Sequence, residues 1–205
     1  MKTTLNKIRE HNPCEYSWKK LLKHLNKTEA DDEPLEIKTI LDSNGIQDAV
    51  WALRAVDGHD RDIRLFIYDC AESVLHLFEK EFANDYRPRE AIDTSRRFAN
   101  GECGLDELSV ARDGAFYAAK DAFDATEFAG YTAAYANSNA AWHASIAAWN
   151  ATEATSSGTL LASSSAVFSA AYAASDPVLG AWDGAWSAAR NSEKEKQVAL
   201  LMKYI

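Results

Sequence analysis

The residues with the clearest capacity for chemistry are Asp69, Glu72 and His76, which stand at positions i, i+3 and i+7. On a helix this spacing places two carboxylates and an imidazole along one side, as in helix-borne metal sites. A di-metal helical bundle needs a second, matching set of ligands, and the sequence offers none. We therefore expect a polar helix face at these residues, with no metal and no cofactor.

The other reactive side chains do not form a recognisable catalytic motif. His11, His24, His59 and His143 are isolated, and the sequence has neither an H-E-x-x-H motif nor a G-x-S-x-G motif. The thiol of Cys103 lies close to two glycines, but no histidine is placed by the sequence to activate it. The sequence therefore predicts a protein that is not an enzyme.

Acidic residues are the most distinctive chemical feature of the chain. Its 31 acidic and 22 basic residues give a formal net charge of -9, and such a chain is repelled by the phosphates of nucleic acids. No lysine or arginine occurs between Lys120 and Arg190, although six acidic residues do. This distribution favours a protein partner with a basic surface. The alternative, that the charge only keeps the protein soluble, stays open.

The acidic residues that could contact such a partner form two groups, one near the N-terminus and one in the C-terminal half. The predicted partner-binding residues are Asp31, Asp32, Glu33, Asp121, Asp124, Glu127, Asp176 and Asp183. We expect them to steer association electrostatically, at a rate that falls as salt is added. Direct binding of nucleic acid is not expected, because stacking platforms for bases carry interleaved lysine or arginine.

The elements that must position these side chains all show helical periodicity. An apolar stripe from Ile63 to Phe78 predicts a central core helix over about Arg61 to Phe82. Further helices are predicted to begin near Pro13, Leu35, Ile46, Pro88, Leu105, Tyr131, Thr159, Asp176 and Ser192. No stretch alternates with period two for long enough to indicate a strand. The chain is therefore predicted to be an all-α protein of nine or ten helices.

Composition divides the predicted helices into two groups without separating two domains. Residues 1–104 carry leucine-, isoleucine- and phenylalanine-faced helices, whereas residues 105–205 carry alanine- and aromatic-rich ones. Since no long flexible linker joins the two groups, we expect a single helical domain over residues 1–205. The repeated helix pairs leave a layered or solenoid-like arrangement open.

The stretch from Tyr131 to Ala151 has the most regular spacing in the chain. Tyr135, Trp142 and Trp149 stand seven residues apart, with alanine pairs between them. Alanine allows helices to approach closely, and the large rings then fill the space between the backbones. We therefore expect the two tryptophans in the core. The alternative is that some rings, with Asp176 and Asp183, form an exposed acidic and aromatic groove for a cationic partner.

The sequence also bears on where the protein works. Residues 1–13 have no apolar core and do not resemble a secretion signal. No apolar run approaches the roughly 18 residues of a membrane span. The three cysteines are scattered and form no C-x-x-C pair, which favours reduced thiols. We therefore expect a soluble cytoplasmic protein.

Three motifs in the N-terminal part are shared with a known family. They are Lys27–Pro34 (KTEADDEP), Ile40–Gly45 (ILDSNG) and Trp51–Val56 (WALRAV). With these motifs and its alanine- and tryptophan-rich C-terminal half, almost the whole chain resembles the Imm-5-like immunity proteins of bacteria and phages. The resemblance implies a small all-α protein of the bacterial cytoplasm that is not an enzyme and neutralises another protein by binding it.

Two settings fit what the resemblance implies. One is immunity against a bacterial toxin with a basic active cleft. The other is phage counter-defence, in which a small acidic protein acts as an anti-CRISPR or blocks another host defence complex. Both require an acidic surface that covers a basic site. A structural module that self-associates through its alanine-rich helices stays the alternative to an inhibitor.

Overall fold

The computed structural model describes the backbone of residues 1–129, 133–156 and 183–205, with the pairs 165–166, 169–170 and 172–173. Side chains are described over the same ranges except 126–129, 133–139, 153–156 and 183–187. Within these ranges the chain forms nine α-helices: α1 (Leu5–Glu10), α2 (Glu15–His24), α3 (Ile37–Asn44), α4 (Ile46–Ala52), α5 (Asp60–Glu81), α6 (Arg87–Ala99), α7 (Leu105–Ala129), α8 (Ala133–Ser156) and α9 (Asp183–Leu201). The all-α fold class predicted from the sequence is confirmed.

The N-terminal residues contain elements that the sequence analysis missed. Helix α1 precedes the first predicted helix and buries Leu5 and Ile8. Two short strands, β1 (Lys2–Thr3) and β2 (Leu35–Glu36), pair in antiparallel register. The predicted helix start at Leu35 is therefore wrong, and α3 begins two residues later. Strands of two residues are too short to show the alternation by which strands are found in a sequence.

Helix α5 is the central core helix that the sequence predicts. The side chains that it buries are Ile63, Phe66, Ile67, Tyr68, Cys70, Ala71, Val74, Leu75 and Phe78. Burying each large apolar side chain contributes about 1.5–3 kcal/mol relative to leaving it exposed. Because α5 contacts α6, α8 and α9, this stripe joins the leucine- and isoleucine-rich helices to the alanine-rich ones.

Helices α7 and α8 form the most extensive helix-to-helix contact among the described residues. Alanine makes this contact. The buried alanines are Ala115, Ala118, Ala119 and Ala122 on α7, and Ala140, Ala141, Ala144, Ala147, Ala148 and Ala151 on α8, and Leu108, Ser145 and Thr152 are buried with them. A methyl side chain takes so little space that the two helix backbones can lie close together. Helix α8 also packs against α5 and α6, so its alanine face is buried inside the protein.

The prediction that the tryptophan rings of α8 fill the core holds in part, since Trp142 packs against the core cluster. Trp142 and Trp149 are only half buried. Their rings lie at the edge of the α7–α8 contact, against Phe123 and Phe116 of α7, with ring centroids 5.2 and 5.4 Å apart. Helices that meet through alanine leave no gap between them that an indole could fill. The rings are therefore displaced to the flank of the contact.

Helix α9 runs without a break through Ser192, where a capping-box spacing predicts a helix start. That prediction is wrong because Glu193 has another role. It is 1% exposed, and its carboxylate accepts a hydrogen bond from the Ser73 hydroxyl of α5 at 3.0 Å. This buried contact holds α9 against α5 in helical conformation. The predicted helix starts at Thr159 and Asp176 lie outside the described residues.

A partly buried polar network fastens the C-terminus to the core. The guanidinium of Arg96 on α6 contacts the carboxylates of Asp69 and Glu72 on α5, at 2.7 and 2.6 Å. The Tyr204 hydroxyl donates a hydrogen bond to the second oxygen of Asp69 at 2.7 Å. Burial and this hydrogen bond raise the pKa of Tyr204 to about 12. Residues from three distant parts of the chain are thereby joined.

We predict that Ala144→Leu destabilises the protein because the larger side chain separates α8 from its neighbours. Overpacking of this kind costs about 1–3 kcal/mol in the free energy of unfolding, which urea denaturation would measure. Ala188→Leu on the exposed side of α9 is the matched control and should change stability little. Equal effects of the two substitutions would contradict the alanine contact.

Candidate protein-binding surface

The predicted N-terminal acids lie in the loop before β2 and are held by one lysine. Lys27 Nζ contacts Asp31 and Glu33 at 2.5 and 2.6 Å. The backbone carbonyl of Asp31 accepts the amide of Asn6 at 3.0 Å. The hydrogen bond from Lys27 is the main reason that the pKa of Asp31 is lowered. Asp32 is exposed and Glu33 is 75% exposed despite its ion pair, so contact of this loop with a partner stays a prediction.

The described acids of the C-terminal group lie on the outer side of α7. Asp121 contacts Arg87 at the start of α6 at 2.6 Å, and Asp124 contacts Lys120 at 2.7 Å. No contact in the described part of the chain joins them to the loop of residues 31–33. The side chains of Glu127 and Asp183, and the whole of Asp176, lie outside the described residues. The structure therefore places Asp121 and Asp124 together but does not bring the two predicted groups together.

The three residues with metal-ligand spacing on α5 serve other purposes. Arg96 occupies the carboxylates of Asp69 and Glu72, and the His76 side chain is exposed on its own. Over the residues that the structure describes, no group of histidine, cysteine, aspartate and glutamate is arranged to hold a metal ion. What the spacing places on one side of the helix is a binding site for the arginine of the next helix.

Exposed apolar side chains are concentrated on α7. Those at least 41% exposed are Leu105, Val110, Phe116, Tyr117 and Phe123. Elsewhere in the described part of the chain, large apolar side chains are exposed singly on separate elements. Single exposed apolar residues are ordinary in soluble proteins, whereas several along one element make it a candidate interaction site. We call Val110, Phe116, Tyr117 and Phe123 the α7 surface.

The α7 surface is a direct consequence of the alanine face on the same helix. Ala115, Ala118 and Ala122 turn inward, and the helical period then turns Val110 and Tyr117 outward. These two are the most solvent-exposed members, at 74% and 57%. The sequence analysis did not single them out, although Val110 and Tyr117, like Phe116 and Phe123, stand seven residues apart. That seven-residue spacing is the sequence signal from which an apolar helix face could have been predicted.

Aromatic contacts hold the rings of the α7 surface in fixed positions. Phe116 lies edge-on to Tyr117, with centroids 5.6 Å apart, and also against Trp149 at 5.4 Å. Phe123 lies against Trp142 at 5.2 Å. Side chains that are already ordered lose less conformational entropy when a partner binds. The tryptophans of α8 thus support the exposed rings of α7 from the side.

Acidic residues outnumber basic ones on α7, although Asp113, Asp121 and Asp124 are each paired with a cation. The helix contains six acidic residues and two basic ones, a formal charge of -4 by that difference. Asp113 and Asp121 are exposed and Asp124 is half buried on the same outer side as Tyr117. The alternative groove with Asp176 and Asp183 lies outside the described residues, and the acidic and aromatic surface of α7 is a separate finding. Apolar anchors within an acidic rim suit a partner whose surface is cationic.

His143 extends the row of rings across α8. The centroid of its imidazole lies 4.4 Å from the ring centroid of Trp142 and 5.5 Å from that of Tyr172. The guanidinium carbon of Arg190 lies over the Tyr172 ring, 4.5 Å from its centroid. Burial lowers the pKa of His143 from 6.5 to about 4. The imidazole is therefore neutral at physiological pH and packs as an aromatic ring.

We predict that His143 makes the protein less stable as the pH falls from about 6.5 to about 4. Its pKa is lower in the folded state than in the unfolded state, so the unfolded chain takes up the proton first and is favoured. The loss should be about 1–3 kcal/mol in the free energy of unfolding, with no further loss from this group below pH 4. His143→Phe should flatten this part of the stability profile, whereas His24→Phe at an exposed site should not. A profile unchanged by His143→Phe would contradict the assignment.

Comparison with known proteins finds one family whose match includes both α7 and α8. The family model described as "Imm-5 like putative immunity protein" matches residues 57–202. No curated protein and no solved structure matches the chain significantly. Among the described helices, none has the length and apolar character that crossing a bilayer requires. The three motifs of residues 27–56 lie outside this match, but the match covers well over half of the 205 residues and confirms the family: the chain belongs to the Imm-5-like immunity protein family.

Proposed function

We propose that the protein is a non-enzymatic inhibitor that neutralises another protein by covering a basic surface on it. Family membership supports an immunity-type role, which is carried out by binding. The α7 surface is the observation that carries the proposal, because it combines exposed apolar anchors with an acidic rim. The family description favours immunity against a toxin over phage counter-defence, including anti-CRISPR activity.

The apolar residues should contribute most of the binding free energy. Truncating a central tyrosine or tryptophan anchor costs about 2–4 kcal/mol at typical interfaces. Exposed ion pairs contribute about 0–1 kcal/mol, and Asp121 and Asp124 already have Arg87 and Lys120 as partners. A cationic partner must compete with those residues. The acids therefore act mainly on the rate of association, while Val110 and Tyr117 hold the complex together.

The structure gives less support to self-assembly through alanine-rich helices. Among the described residues, the alanine faces of α7 and α8 are already buried within the fold. A second copy would have to bind another surface. The α7 surface is available for that, so measuring the oligomeric state by light scattering separates an inhibitor that binds a foreign partner from a self-associating module.

We predict that Tyr117→Ala and Val110→Ala each weaken binding to the partner by at least about tenfold. The first protein to test is the product of the gene adjacent to this one, by calorimetry and by rescue of growth on coexpression. Both side chains are more than half exposed, so folding should be retained. Tyr16→Ala is the matched control, since Tyr16 is 78% exposed on α2. If Tyr16→Ala impairs binding as much as Tyr117→Ala does, the α7 surface is not the interface.

We predict that Asp121→Asn with Asp124→Asn slows association and reduces its dependence on salt, because these acids attract the partner at long range. The dissociation rate should change by less than about threefold. Stopped-flow kinetics at several salt concentrations would measure both rates. Asp42→Asn is a matched control: like Asp124, Asp42 is paired with a lysine four residues earlier. An association rate unaffected by the double substitution would contradict electrostatic steering by α7.

A further inference from the structure

A small groove lies between α1, α2, α3 and α4, well before the residues that match the family. Its floor is formed by Ile8, Leu21 and Ile40, which are at most 3% exposed. The half-buried rings of Trp18 and Trp51 line its sides. The cavity volume is about 90 Å³, far below the roughly 300–1,000 Å³ of sites for cofactors and drug-sized ligands. The groove can therefore take one small group.

The polar side of this groove is negative. Asp48 lines it, and its carboxylate accepts a hydrogen bond from Asn44 Nδ2 at 2.7 Å. The Cys14 sulfur also lines it and accepts the amide of Ser17 at 3.4 Å, which lowers the pKa of the thiol. No lysine or arginine is among the residues that line the groove. A ligand that carries a positive charge would thus find a carboxylate acceptor in the wall.

The Trp18 ring, which lines the groove, adds a second source of attraction for a cation, since the Trp51 ring already has a cationic partner. The guanidinium of Arg54 lies over the Trp51 ring, 4.4 Å from its centroid, and its Nε donates a hydrogen bond to the Trp51 carbonyl at 2.8 Å. Trp51 therefore already binds one cation of the chain through its ring. Attraction between a cation and an aromatic ring is worth about 0.5–1 kcal/mol at exposed sites and about 2 kcal/mol or more when the cation is desolvated.

We propose that this groove binds an alkylammonium group, with the ammonium at Asp48 and the short alkyl stem against the apolar floor. Carboxylate, indole rings and aliphatic side chains together match a cation that carries an alkyl chain. An anion would be repelled by Asp48, and a neutral alcohol would lack the charge that the carboxylate and rings attract. The site is built from residues 8–52 and the α7 surface from residues 110–123, so this inference does not depend on the proposed function.

The test is a titration of the full chain with small ligands, in which nuclear magnetic resonance detects binding. The probes are n-butylammonium, 1-butanol and butyrate, which share an alkyl stem and differ in charge. We expect butylammonium to shift the indole N–H signals of Trp18 and Trp51 and to bind at least about tenfold more tightly than 1-butanol, an advantage of about 1.4 kcal/mol. A second arm uses a capped peptide with one lysine. Tighter binding of the peptide assigns the site to a lysine of a partner, and tighter binding of butylammonium to a free amine.

Variants at Asp48 decide whether the carboxylate selects the ligand. Asp48→Asn should weaken butylammonium binding by at least about fivefold and leave 1-butanol unchanged, whereas Asp48→Glu should retain the preference for the cation. Asp42→Asn, on the exposed side of α3, is the control for the loss of one charge. Equal binding of butylammonium and 1-butanol by the folded wild-type protein would overturn the proposal. So would full retention of cation preference in a folded Asp48→Asn protein.

Discussion

The contact between α7 and α8 through alanine is the constraint on which the rest of the structure depends. Helices α7 and α8 contact each other extensively, and Ala115, Ala118 and Ala122 of α7, like Ala141, Ala144 and Ala148 of α8, have no exposed surface. Alanine has the highest helix propensity and loses no side-chain entropy on burial, so long helices of this composition form and pack readily. The alanine-rich sequence thus allows the backbones of α7 and α8 to pack closely.

This contact also determines what the protein presents to solvent. Once the small residues of α7 face inward, its large side chains have no place in the core and must lie outward or at the edge. Trp142 and Trp149 are displaced to the same edge, where they support Phe123 and Phe116. Scaffold and candidate interface are therefore two sides of one helix, and the acids of α7 border the apolar residues. Binding by such a surface agrees with membership of an immunity family.

Strong local patterns were predictable from the sequence, and effects decided by tertiary packing were not. The apolar stripe of α5 identified a core helix because large side chains at helical spacing have one favourable place. The predicted helix start at Ser192 was wrong because burial of Glu193 against Ser73 outweighs the local capping signal. The acids were found, but charge counts do not show that Arg87 and Lys120 pair with Asp121 and Asp124. The exposed rings of α7 went unrecognised because the sequence does not show which face the alanines bury.

The central claim is that the outward face of α7 is where the partner binds. Hydroxyl-radical footprinting of the protein, alone and in complex with its partner, tests this claim most directly because it reports the exposure of individual side chains. The account predicts that Val110, Phe116 and Tyr117 become protected in the complex, while Tyr16 on α2 stays as reactive as before. Protection confined to residues outside α7, with Val110 and Tyr117 unchanged, would contradict it.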